Sequence, residues 1–82
     1  MYPFYVSLAS IEDVKKFVDA ANHCPCEVDV LSGRYIINAK SIMGLFSIDL
    51  AKPVRVEVHG TQEQGDAFQQ SVSSFTVPAP EQ

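Results

Sequence analysis

Apolar positions along this chain follow two periods, and each change of period marks an element. In "PFYVSLA", residues 3–9, Phe4, Val6 and Leu8 fall two apart, as in a half-buried strand. Ile11, Val14, Phe17, Val18 and Ala21 then take helical spacing. Ser10 fits the N-cap of that helix, with Asp13 three residues on as a weak capping box. Glu12 and Asp13 suit the positive end of the helix dipole. Glu12 and Lys16 form an i,i+4 pair worth a few tenths of a kcal/mol. The helix is expected to end near Asn22, with Pro25 just beyond.

Alternation returns in "EVDVL", residues 27–31. "SGR" reads as a tight turn and "YIIN" as the returning strand, so the pair predicts a hairpin. A short helix begins at Ser41, and Pro53 closes the loop after it. In "VRVEVH", 54–59, Val54, Val56 and Val58 point inward and Arg55, Glu57 and His59 outward. Gly60 ends that strand. Thr61 and Gln64 make a second capping-box candidate. Phe68, Val72 and Phe75 share one face of a helix over 63–75, which Gly65 weakens locally. The order β-α-β-β-α-β-α predicts an α+β layer: a four-stranded antiparallel sheet with three helices on one face. Residues 1–76 are expected to form a single domain and 77–82, "VPAPEQ", a flexible tail.

Composition narrows the function. A chain of 82 residues buries about 60% of its unfolded surface, so it builds a thin core with little room for a deep substrate cavity. Ten acidic residues against six basic ones give a net charge of −4, which disfavours nucleic acid as a partner. "MYPFYVSLAS" has no basic start and no long apolar core, so no signal peptide or membrane span is expected, and the location is expected to be cytoplasmic. Cys24 and Cys26 flank Pro25, too close to bridge without strain. "HCPCE" could be drawn as a metal site with His23 and Glu27, but no second pair of ligands accompanies it. Reduced, structural thiols are expected, with no metal and no cofactor. No nucleophile–base pair is visible, so the chain does not read as a self-contained enzyme.

"NAKSIMGLFSI", 38–48, stands apart. Ile42, Met43, Leu45, Phe46 and Ile48 are too few to span a membrane and too apolar for an ordinary solvated helix. This stretch lies within "SGRYIINAKSIMGLFSIDLAKPVRVEVHG", 32–60, which resembles the HPr family, the small histidine-containing phosphocarriers of the bacterial sugar phosphotransferase system. "AKSIMG" carries most of the likeness, and "FVDAANHCPCEVDV", 17–30, is similar in pattern. The resemblance covers about three quarters of the chain. It implies the open-faced β-sandwich, which agrees with the layer read from periodicity.

The family's phosphate-accepting histidine lies in a "GxHARPA"-like stretch at the start of the first helix. Aligned on "FVDAA" without gaps, that stretch falls on "LASIEDV". Ser10 then stands at the histidine, Glu12 at the family's arginine and Asp13 at its proline. A phosphate about 4 Å from a carboxylate is opposed by roughly 4 kcal/mol at an effective dielectric of 20. A neutral serine hydroxyl also needs a base to become a nucleophile. Ser10 therefore reads as a helix cap and the phosphocarrier step as lost. His23 lies at the wrong end of the helix dipole, and His59 points outward with no evident partner.

The family's second site, a regulatory serine, falls on Ser41. Phosphorylation there would add nearly two negative charges at a helix start, which dipole and amides tolerate. Capping alone remains the alternative for Ser41. Beside it, Ile42, Met43 and Phe46 can cluster as a partner-binding surface, with Lys40 at its edge and Leu45 and Ile48 in the core. The resemblance implies protein partners: HPr kinase/phosphorylase, phosphotransferase-system proteins or a transcriptional regulator. Glu12 in place of an arginine would turn some of them away. The leading expectation is a regulatory or adaptor protein. A phosphocarrier using a displaced histidine and an oligomerising domain are the alternatives.

Overall fold

Val28 and Val30 of β2 (Glu27–Ser32) and Val54, Val56 and Val58 of β4 (Val54–His59) are buried on one face of a sheet in the computed structural model, which describes residues 2–79. The two strands run antiparallel, with Val28 opposite Val58 and Val30 opposite Val56. β1 (Tyr2–Val6) sets Phe4 against Val56 and Val6 against Val54. β3 (Tyr35–Asn38) returns along β2 after a turn in which Gly33 takes φ 58°, a left-handed value that suits glycine.

Three helices cover the buried face: α1 (Ile11–His23), α2 (Ile42–Phe46) and α3 (Gln62–Ser71). α1 buries Val14, Phe17, Val18 and Ala21, the stripe its spacing predicts. Phe17 meets Phe68 of α3 edge-on with ring centroids 5.7 Å apart, and Phe68 lies 6.2 Å from Phe4. These aromatic contacts tie two helices to the sheet. Thr61 and Gln64 close a full capping box at the start of α3.

The sheet has five strands, not the expected four, in the order β3-β2-β4-β1-β5. The fifth, β5 (Thr76–Val77), pairs with β1 through Val6↔Thr76 and Tyr5↔Val77. Val77 thus lies in a strand rather than in a loose tail, and residues 80–82 of that tail fall outside the described residues. β1 stops at Val6, yet Leu8 is still buried. α3 ends at Ser71, before Phe75, because the chain turns there: the Phe75 N–H bonds to Val72 O, and Phe75 O receives the Ser7 N–H. Gly65 is buried against Tyr2, and a methyl group there would overlap the ring. Its low helix propensity is the cost of that close approach.

Two expected pairings differ. Among the described residues the contacts close enough for an ion pair are Arg55–Glu57 and, only with a protonated imidazole, His23–Asp19 and His59–Asp29, so Glu12 does not reach Lys16. His59 does have a partner: its Nε2 lies 2.8 Å from Asp29 Oδ2 across the β2–β4 pair. No described helix is long and apolar enough to cross a membrane.

Candidate functional site

Ser10 is in extended conformation (φ −141°, ψ 164°), and its Oγ accepts the Asp13 N–H at 3.1 Å. Its carbonyl accepts the Val14 N–H. The Asp13 carboxylate reaches back to the Ala9 N–H at 3.2 Å, one residue before the position that a capping box would use. Both acceptors at this helix start are therefore engaged with the chain's own amides. Glu12 is exposed beside them. An incoming anion meets two carboxylates and finds some of the N–H groups it needs already bonded.

Neither histidine lies at this end. His23 is in the last turn of α1, where its Nδ1–H donates to the Asp19 carbonyl at 2.8 Å. His59 closes β4 and is held by Asp29. Among the described residues no three His, Cys, Asp or Glu side chains gather in a way that could hold a metal ion.

Ser41 caps α2 in the same manner: its Oγ accepts the Gly44 N–H at 3.2 Å, and its carbonyl accepts the Leu45 N–H. The first turn of α2 holds no acidic residue. Asn38 fixes the approach to it, its side chain accepting the Lys40 N–H at 2.9 Å. A Cβ on Gly44 would stand 2.7 Å from Ile37 Cγ2 and 3.1 Å from Ser41 Oγ, so glycine lets α2 lie close against β3. Leu45 is fully buried and anchors the helix; Ile42, Ile48 and Lys40 are half-buried. Met43 is 76% exposed and Phe46 43%.

One surface joins the start of α1 to the end of α2. A depression of about 370 Å³ is lined by Leu8, Ser10, Ile11, Phe46, Leu50 and Ala51. Phe46 at the end of α2 therefore borders the same hollow as Ser10 at the start of α1. Sequence reasoning misses the contribution of Ile11: helical spacing assigns it to the buried stripe, whereas it is 64% exposed. The available signal is position: the first helical residue, next to the cap, lies a full turn before Val14 and is the last to meet the sheet. Leu50 and Ala51 carry no pattern of their own. A larger depression, about 710 Å³, lies between the C-terminal half of α1 and α3, lined among others by Lys16, His23, Cys24 and Phe68. Neither Ser10 nor Ser41 lines it, and size alone does not make it the site.

The layer of three helices on an antiparallel sheet, with a capped helix start at each serine, defines a small α+β protein of one known kind. Among solved structures the chain is similar to the crystal structure of HPr-C-His from Thermoanaerobacter tengcongensis. The match has a TM-score of 0.71 and 22% identity, and covers 90% of this chain and 93% of that one. At that identity the likeness is one of fold. The family model for the PTS HPr component phosphorylation site matches residues 13–76. The chain belongs to the HPr family of the phosphotransferase system. No curated protein matches it. The matched stretch includes Ser41 and α2 and begins after Ser10 and Glu12.

Proposed function

We propose that this chain is an HPr-family protein that has lost the phosphocarrier histidine and acts as a regulatory or adaptor protein. It is not an enzyme in its own right. Its working unit is a single domain that runs through Val77 of β5, and its partners dock on the face of Ile42, Met43 and Phe46, with Lys40, Ser10 and Glu12 at the margin. The observation that carries this reading is the contrast at the two helix starts. Asp13 and Glu12 occupy the start of α1, where phosphate chemistry would need a cation, whereas α2 exposes Met43 and Phe46 beside an uncrowded serine. Phosphorylation of Ser41 would place a dianion beside that apolar face and change which partner it fits. The partners fitting this reading are an HPr kinase/phosphorylase, other phosphotransferase-system proteins or a transcriptional regulator. Such partners are cytoplasmic and so, in this reading, is the chain.

Intact mass after two incubations tests it. One uses phosphoenolpyruvate with the first enzyme of the phosphotransferase system, the other ATP with HPr kinase. The expected result is one phosphate from the kinase, absent in Ser41→Ala, and none from phosphoenolpyruvate. An acid-labile phosphate from phosphoenolpyruvate would overturn the reading and direct attention to His59 and His23. No phosphate in either arm would remove the serine switch and leave docking alone.

A further inference from the structure

Cys24 and Cys26 take no part in that surface, yet their side chains converge. Both thiols are free, and Cys24 Sγ lies 3.1 Å from Cys26 Sγ. Side chains two apart in a loop have no need to meet. Here each is held from its own side. Cys24 is the buried C-cap of α1, with its N–H bonded to Ala21 O at 3.1 Å. Cys26 is half-buried just before β2, and its Sγ lies so near Gly60 that a Cβ there would be 2.9 Å away. Helix end and sheet thus press the two sulfurs together across Pro25. A disulfide needs only about 1 Å of further approach. No third metal-ligating side chain joins them among the described residues.

We propose that Cys24 and Cys26 form a redox modification site, closing reversibly into an intramolecular disulfide by exchange with small-molecule disulfides. Cys26, the more exposed sulfur, enters first. Its thiolate attacks one sulfur of the small disulfide; that S–S bond breaks, a mixed disulfide forms on Cys26 and one small thiolate leaves. Cys24, giving up its proton, then attacks Cys26 Sγ and expels the second small thiolate. Two protein thiols are oxidised, one external disulfide is reduced to two thiols, and the two cysteine protons end on those thiols. The ring spanning Pro25 is tight, so the bond is readily reduced again. Burial and the hydrogen bond with Cys24 push the Cys26 thiol above its ordinary range, against a smaller pull from Lys40, so exchange speeds up as the solution turns alkaline.

The test equilibrates the full chain with oxidised and reduced glutathione, quenches with an alkylating agent and reads intact mass, folded and in urea. The expected product has lost two hydrogens and resists alkylation. Its equilibrium constant in the folded chain should exceed that in urea by about tenfold, the factor by which the disulfide in turn favours folding. Cys24→Ser should trap a stable glutathione adduct on Cys26. Cys26→Ser should leave the buried Cys24 unmodified in the folded chain. Equal constants in the two states, disulfide-linked dimers, or an adduct that never resolves in the native sequence would each overturn the proposal. Should Cys24→Ser fail to fold, the native-sequence comparison decides alone.

Discussion

Ser10 and Ser41 cap their helices with the same bond, an Oγ accepting the amide three residues on, at 3.1 and 3.2 Å. The residues after each cap differ. α1 continues with Ile11, Glu12 and Asp13 and then buries four apolar residues against the sheet. α2 continues with Ile42, Met43 and Gly44, has no carboxylate in its first turn and buries one residue, Leu45. A capping geometry therefore does not say what a helix start can receive. The remaining side chains of the first turn decide it. One start is filled by its own negative charge, and the other is left uncharged beside an exposed apolar surface.

The largest effect should come from removing the anchor that α2 has and α1 shares among four residues. A helix of five residues does not persist by propensity, so its place depends on Leu45. Leu45→Ala should cost about 2–5 kcal/mol in urea unfolding. It should also lower any phosphorylation of Ser41, because the loop would no longer be presented in one conformation. A loss well under 1 kcal/mol would mean that α2 is held by its neighbours along the chain and not by the core.

The caps themselves come next. Ser10→Ala and Ser41→Ala should each cost about 1 kcal/mol. Aspartate at the same positions separates the two starts, since it caps as well as serine but adds charge. Ser41→Asp should keep native stability, while Ser10→Asp, beside Glu12 and Asp13, should fall roughly 0.5 kcal/mol below it. High salt should narrow that gap. Equal stabilities at low salt would show that Glu12 and Asp13 do not set the field at α1, and the case against a phosphate there would fail.

Much of this architecture is legible in the pattern of residues, and the exceptions have causes. Alternation marks β2 and β4 because one face of each is buried and the other is polar apart from Leu31. The stripe of α1 is legible for the same reason. β5 is hidden because two residues make no period; Thr76 and Val77 become a strand only by lying beside Tyr5 and Val6. Gly65 reads as a weakness because its compensation, the Tyr2 ring, is contributed by a residue far away in sequence. His59 looks alone because Asp29 belongs to another strand, and the register that brings them together is not a local property. At the candidate site the serines and Met43 stand out from their neighbours in sequence. The hollow between Ile11 and Phe46 does not, since it exists only where α1 and α2 meet.

The smallest effect on stability is the one that bears most on docking. Met43 is 76% exposed and touches little, so Met43→Ala should change unfolding by no more than about 0.5 kcal/mol. Phe46 borders the hollow beside Leu8, Ser10 and Leu50, so Phe46→Ala should cost more, about 1 kcal/mol, while leaving the fold intact. A surface kept for a partner should show the reverse order of importance in binding. Each alanine should weaken capture of the partner at least tenfold, or about 1.4 kcal/mol, although neither unfolds the chain. If Met43→Ala were as destabilising as Leu45→Ala, the residue would be core and the docking face would disappear. If both variants bound as the native chain does, the exposed side of α2 would be idle, and the contrast between the two helix starts would be one of charge alone.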